Sequence, residues 1–133
     1  YLKFQKLRFK TLFDFTVHVD PKLNLNDYKI PKLLLQSLVE NSVKHAFYKV
    51  DYTGLISIRI ERMGERIQII ATDNGIGRYK SMELGGTSGT KIGSILILKQ
   101  ITQINRLYNT KIRISYLDSF GEEDHGTKIT IEM

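Results

Sequence analysis

A carboxylate and two closely spaced glycines directly follow a largely apolar run. Residues 73–77 read Asp-Asn-Gly-Ile-Gly, and the run before them covers residues 67–71. An acid at the end of a strand can accept a hydrogen bond from an exocyclic amine such as that of adenine. Glycines let the backbone approach a planar ligand or adopt the dihedrals of a turn. Because Asp-Asn-Gly turns are also common without a ligand, this motif alone leaves both interpretations open.

A second polar group lies upstream, where Glu40 and Asn41 are followed by Lys44 and His45. An amide oxygen is a hard ligand suited to Mg²⁺, which usually bridges phosphates. Lys44 offers a point charge to such phosphates, and His45 offers a donor. Each residue alone also fits a solvated helix face. Together with the motif at 73–77, they indicate a nucleotide site.

A glycine-rich stretch at residues 85–90 precedes a long apolar segment. Its backbone N–H groups could surround phosphates at the start of the next helix, and the alternative is a mobile surface loop across residues 78–91. It is not a Walker-type loop, because no Gly-Lys-Ser/Thr follows at the required spacing. No kinase glycine-rich loop precedes a Val-Ala-Ile-Lys strand either.

Hydrophobic periodicity predicts the elements that position these residues. Apolar residues that alternate along the chain predict strands, and apolar residues spaced by 3 and 4 predict helices. The first helix is predicted to start near Pro31, because proline is tolerated in the first turn of a helix. Its apolar stripe contains Leu35, Leu38, Val39, Ser42, Val43 and Ala46, beside a polar stripe of Ser37, Asn41, Lys44 and His45. In order we predict a strand at 13–19, a helix at 31–47, hairpin strands at 55–60 and 66–72, a helix at 92–108, and strands at 111–117 and 127–132. This order predicts an α+β two-layer sandwich with a mixed sheet covered on one face by helices.

Composition narrows the class. The chain has 133 residues, 41% of them apolar and 26% charged, which fits one globular domain. It has no Cys, which excludes disulfides and thiolate chemistry. The net charge of +6 is dispersed outside residues 1–10, so we predict a solvated basic surface and no nucleic-acid binding. No apolar run approaches the roughly 20 residues of a membrane span. Because residue 1 is Tyr, we expect a fragment of a longer protein.

The two motifs together resemble those of a known family. "IPKLLLQSLVENSVKHAF" followed by "ATDNGIGR" resembles the catalytic ATP-binding domain of sensor histidine kinases, most closely the LytS-like type. The wider superfamily, with the Bergerat or GHKL ATPase fold, includes gyrase, the Hsp90 chaperones and the MutL repair proteins. The resemblance implies that residues 1–10 are the end of a connector from the dimerisation and phosphoacceptor helices. Residues 11–133 are then the catalytic domain.

The resemblance also implies roles for individual residues. Asn41 would hold Mg²⁺, and Lys44 and His45 would lie near the phosphates of ATP. Asp73 would bind the adenine amine, with support from a partner that reaches it through water. The remaining implied positions are Gly75 and Gly77 in the adenine pocket, Thr127 as the partner of Asp73, and Gly89, Thr90, Lys91 and Gly93 in a lid over the triphosphate.

Three departures from the family pattern matter. The lid of the family usually reads Gly-x-Gly-x-Gly-Leu, whereas here Lys91 replaces the middle glycine and Ser94 replaces the Leu. Ser37 stands where gyrase-like relatives place a Glu base, which favours a kinase over a hydrolase. The phosphoacceptor His is absent, so we expect no phosphorylation in cis.

The implied reaction is transfer of the ATP γ-phosphoryl to a His of an upstream domain and then to an Asp of a response regulator. Glu40 would orient the acceptor imidazole, and Lys44 would neutralise charge. The alternatives are a nucleotide-binding pseudokinase that signals by conformation, a superfamily ATPase, and a basic interaction domain without nucleotide. We expect a homodimeric full-length protein anchored in the inner membrane, with this domain in the cytoplasm.

Overall fold

Five strands form one mixed sheet in the computed structural model, which describes residues 13–28, 32–41, 43, 46–47, 50–77, 80, 83, 89–118 and 126–133. Two helices and a 3₁₀ turn at Leu25–Asp27 complete the described elements. In chain order the strands and helices are β1 (Phe13–Val19), α1 (Lys32–Asn41), β2 (Gly54–Met63), β3 (Arg66–Asp73), α2 (Gly89–Tyr108), β4 (Arg113–Asp118) and β5 (Thr127–Glu132).

The strand order β1-β2-β3-β5-β4 brings several chain segments to one end of the sheet. β1 pairs with β2 in parallel, and the other neighbours are antiparallel. Asp73, the last residue of β3, lies opposite Ile56 of β2 and Thr127 of β5. Thr127 also lies opposite Asp118, the last residue of β4. We call this end of the sheet, which includes Asp73 and Thr127, the β3 end.

Alternate residues of the strands form the core. Successive side chains of a strand point to opposite faces, and in β2, β3 and β5 most of the buried positions are Ile. Both helices pack on that face, so the predicted two-layer α+β fold is confirmed. The buried residues of this cluster include Ile56, Ile58, Ile60, Ile69, Ile129 and Ile131 of the sheet, Leu34, Leu38 and Val39 of α1, and Ile97 and Ile101 of α2.

Some predicted boundaries and burial assignments were wrong. α1 ends at Asn41 rather than near Phe47, because the backbone widens to π-helical turns at Val43 and Ala46. Leu34 is fully buried, although the predicted core stripe does not contain it. Val17 of the edge strand β1 is 53% exposed.

The predicted loop at 78–91 was also too long, because α2 begins at Gly89 and so includes Gly89, Thr90 and Lys91. The first N–H groups of a helix have no partner inside it, so glycine costs little there. The backbones at Lys80 and Glu83 are helical as well. The predicted connector at 1–10 lies outside the described residues. In the described part of the chain, no helix has the length and apolarity needed to cross a bilayer.

The chain after α1 lies directly against the turn that follows β3. The amide of Ile76 donates to the carbonyl of Ala46 over 2.9 Å. A Cβ built at Gly75 would lie 2.3 Å from the Cβ and 2.4 Å from the carbonyl oxygen of Ala46. Only a residue without a side chain fits between these two backbone segments, so Gly75 fixes how closely the segment after α1 approaches the sheet.

We predict that Gly75→Ala lowers the free energy of unfolding by about 3 kcal/mol, because its methyl group would displace backbone. Gly64→Ala is the matched control. Gly64 has a φ of +65° in the turn between β2 and β3, and no atom of the described residues lies within 4 Å of a Cβ built there. Its positive φ alone should cost about 1 kcal/mol. Urea unfolding of both variants measures the difference, and equal losses would contradict the steric argument.

Candidate functional site

Asp73 is a buried carboxylate at the β3 end. It is 6% exposed, and its Oδ1 accepts two backbone hydrogen bonds, from the amide of Gly75 over 3.0 Å and from that of Thr127 over 3.2 Å. One donor belongs to the turn after β3 and the other to the first residue of β5. The backbone amide of Thr127 makes a direct contact with Asp73, and the expected contact through water stays a prediction. The carboxylate is therefore oriented from two sides.

Glycines let the backbones around Asp73 approach each other. Gly126 has a φ of +89°, and a Cβ built there would lie 2.1 Å from the carbonyl oxygen of Asp73. Gly77 has a φ of +78°, a conformation that L side chains rarely adopt. We missed Gly126 in the sequence, where the only sign was a glycine directly before a strand. It allows β5 to begin beside the end of β3.

Asn74 ties the turn to the start of β2. Its side-chain Oδ1 accepts from the amide of Leu55 over 2.6 Å, and its Nδ2 donates to the carbonyl of Thr53 over 3.4 Å. Its backbone amide donates to the carbonyl of Leu55 over 3.2 Å. Its backbone carbonyl accepts from the hydroxyl of Tyr52 over 2.9 Å. Tyr52 was not identified from the sequence, because it is separated from the motif by a whole hairpin.

The environment of Tyr52 affects its ionisation. Partial burial, and then the negative charges of Asp73 and Asp51, raise the pKa of Tyr52 above the ordinary value of 10.0. Both effects disfavour the phenolate. The hydroxyl therefore remains a hydrogen-bond donor through neutral and moderately basic pH.

The upstream polar group is described only in part. Glu40 is half-buried in the last turn of α1, and its Oε1 accepts from Nε2 of Gln36 over 3.4 Å. Asn41 is the last residue of α1, and nothing is described of its side chain. Lys44 and His45 lie outside the described residues. The bond from Ile76 to Ala46 nonetheless places the chain just after these positions against the glycine turn.

The structure therefore brings Asp73, Gly75, Gly77 and Thr127 together at the β3 end. The four predicted lid residues, Gly89, Thr90, Lys91 and Gly93, all lie in the first two turns of α2, and their side chains are not among those described. Among the described residues, no group of three or more His, Asp or Glu side chains could hold a metal ion. An Mg²⁺ ion at Asn41 would need the phosphates and water for its other ligands.

We predict that Tyr52 makes stability depend on pH in the basic range. A raised pKa favours the protonated phenol in the folded state, so this contribution is complete below about pH 10 and is lost as pH rises through the folded value. The difference in unfolding free energy between the wild type and Tyr52→Phe should therefore be constant up to about pH 10 and shrink above it. Urea unfolding from pH 8 to 11 measures it. Tyr108→Phe, at the exposed end of α2, is the matched control. A pH-independent difference would contradict the prediction.

A family model and several proteins match this chain. Residues 26–133 match the family described as histidine kinase-, DNA gyrase B- and HSP90-like ATPases. The sensor protein LytS of Streptococcus mutans is 31% identical over 100% of this chain, which covers 22% of that protein. The sensor histidine kinase/phosphatase LytS of Staphylococcus aureus is 34% identical over 66% of this chain, with 15% of its own length covered. The chain thus spans less than a quarter of the length of these curated relatives.

Solved structures share the fold. The nucleotide-free catalytic domain of histidine kinase ThkA superposes with a TM-score of 0.63 at 18% identity, covering 100% of this chain and 85% of that one. The mycobacterial sensor histidine kinase MprB gives a TM-score of 0.58 at 20% identity, covering 99% and 87%. The resemblance to LytS-like sensor histidine kinases inferred from the two motifs is confirmed. The chain belongs to the family of histidine kinase-, DNA gyrase B- and HSP90-like ATPases.

Proposed function

We propose that this chain is the ATP-binding catalytic domain of a sensor histidine kinase, which phosphorylates a His on an upstream domain outside these residues. The observation that carries the proposal is the buried Asp73 carboxylate, held by the amides of Gly75 and Thr127 beside a glycine turn. Family membership and the LytS relatives support the same reading.

The chemistry of Asp73 fits adenine. Two amide donors on one oxygen suit an ionised carboxylate, which only accepts hydrogen bonds. A ligand group that meets it must therefore donate. The exocyclic amine of adenine is a donor, whereas guanine has a carbonyl at that position. The close approach at Gly75 and the positive φ of Gly77 keep side chains away from the turn, so a flat base can lie against the backbone.

The phosphates would lie toward the ends of the two helices. Lys44 and His45 follow α1 and would contact them, and Asn41 would hold Mg²⁺ at the end of α1. The first turns of α2 contain Gly89, Thr90, Lys91 and Gly93, and the unpaired amides of a helix N-terminus favour anions. ATP supplies the γ-phosphoryl when bound. These residues would position it and neutralise its charge, with Lys44 as the principal cation.

The partners and location follow from the same proposal. The domain would act on the phosphoacceptor helices of its own protein, which in turn would phosphorylate a response regulator. The full-length protein would be a homodimer anchored in the inner membrane, with this domain in the cytoplasm.

One alternative function is supported by specific residues. Lys91 and Ser94 depart from the lid pattern of the family, which favours a pseudokinase that binds nucleotide and signals by conformation.

We predict that this chain binds ATP in the presence of Mg²⁺ and that Asp73→Asn weakens binding about 10- to 100-fold, because an amide replaces a charged acceptor. Isothermal titration calorimetry measures both affinities. Asp51→Asn is the matched control, since it removes an exposed negative charge near the same end of the sheet. Circular dichroism would verify that all three proteins are folded. Equal affinities of the wild type and Asp73→Asn, or no binding by the wild type, would count against the proposal.

In a longer protein that contains the upstream helices, we predict that Glu40→Gln slows phosphohistidine formation about 100-fold without changing ATP affinity, because the acceptor imidazole loses its orienting base. Radiolabelled phosphoryl transfer measures the rate. Gln36→Ala, which removes the side-chain donor to Glu40, is the matched control. A wild-type rate in Glu40→Gln would exclude this role. ATP binding without any phosphohistidine in the wild type would favour the pseudokinase.

A further inference from the structure

The pairing between β2 and β3 changes at the position directly after Asp73. Ile56 lies opposite Asp73, so the next antiparallel pair is Leu55 with Asn74. The amide of Asn74 donates to the carbonyl of Leu55 over 3.2 Å, as in a regular ladder. The return bond differs, because the amide of Leu55 donates to the side-chain Oδ1 of Asn74 over 2.6 Å. The side-chain amide therefore replaces the backbone carbonyl in the ladder.

This replacement allows the backbone carbonyl of Asn74 to point elsewhere, and it accepts the hydroxyl of Tyr52 over 2.9 Å. The same peptide group carries the amide of Gly75, which donates to Oδ1 of Asp73 over 3.0 Å. A peptide group is planar and rigid, and no peptide bond in the described chain is cis. A contact that holds its carbonyl therefore also sets the direction of its N–H.

We infer that Tyr52 is a positioning residue for adenine recognition, whose hydroxyl orients the Asn74–Gly75 peptide and, through it, the carboxylate of Asp73. This inference rests on the proposed ATP-binding function and adds to it a residue outside both sequence motifs. Tyr52 acts on Asp73 through one peptide group.

Two further properties of Tyr52 agree with this role. Its raised pKa keeps the hydroxyl protonated, and so a donor, through neutral pH. Hydrogen bonds in a chain also polarise one another, so a donor at the carbonyl of Asn74 strengthens the N–H of Gly75 toward the carboxylate. Tyr52 is 42% exposed, which means that Tyr52→Phe removes the hydroxyl without opening a cavity in the core.

The test compares ATP with inosine triphosphate, which has a carbonyl in place of the adenine amine. With Tyr52→Phe, the affinity of this chain for ATP should fall about three- to tenfold, the effect of one neutral hydrogen bond. The affinity for inosine triphosphate should not change, so the ratio of the two affinities falls by the same factor. Tyr108→Phe removes a hydroxyl at the exposed end of α2 and should leave the ratio at its wild-type value. Calorimetry measures the six affinities, those of two nucleotides for each of three proteins.

A second measurement needs no nucleotide. Hydrogen exchange of the Gly75 amide, followed by NMR, should be faster in Tyr52→Phe than in Tyr108→Phe, because its peptide group is no longer held at the carbonyl. Equal exchange rates, an unchanged affinity ratio, or equal weakening of both nucleotides would each overturn the inference. If Asp73→Asn weakens ATP binding and Tyr52→Phe does not, the proposed function stands and the inference alone fails. If the wild type binds neither nucleotide, both fail.

Discussion

The hydrogen bonds to Asp73 are the constraint on which the β3 end depends. Its Oδ1 accepts hydrogen bonds from the amides of Gly75 and Thr127. Thr127 lies 54 positions after Asp73 in the sequence. A buried carboxylate left without such donors would be strongly destabilising. The end of β3, the turn after it and the start of β5 must therefore stay in one arrangement. The group that we propose binds adenine is thus also one that the fold holds in place.

The second constraint is steric, because two positions around Asp73 have no room for a side chain and are occupied by glycine. At Gly75 the obstacle to a side chain is Ala46, and at Gly126 it is the carbonyl of Asp73. Neither obstacle can move cheaply, because each includes backbone. These contacts bring the segment after α1, the turn after β3 and the start of β5 close together around the carboxylate of Asp73. A base recognised there would meet backbone on several sides, which favours a flat ligand over a bulky one.

Local pattern was enough to predict the elements and part of the site. The alternation of Ile in β2, β3 and β5 depends on neighbours two residues apart, and Asp73, Gly75 and Gly77 lie in one short motif. Gly126 and Tyr52 could not be found in this way. Their roles depend on which strands pair and in what register, and Tyr52 lies 22 residues before its partner Asn74. The end of α1 was predicted too late because the apolar spacing of the sequence continues through Val43 and Ala46, where the backbone is π-helical.

The residue at position 74 shows how specific these requirements are. Its side chain accepts a hydrogen bond from the amide of Leu55 and donates one to the carbonyl of Thr53. Position 74 therefore needs a side chain that carries an acceptor and a donor at the same distance from the backbone. Asn has both, whereas Asp lacks the donor and would add a negative charge next to Asp73. Ser is too short to span both contacts. The Asn of the Asp-Asn-Gly turn is therefore explained by the strand that it joins, while for the Asp before it we propose a role in binding adenine. One tripeptide thus connects the stability of the sheet to the binding that we propose at its end.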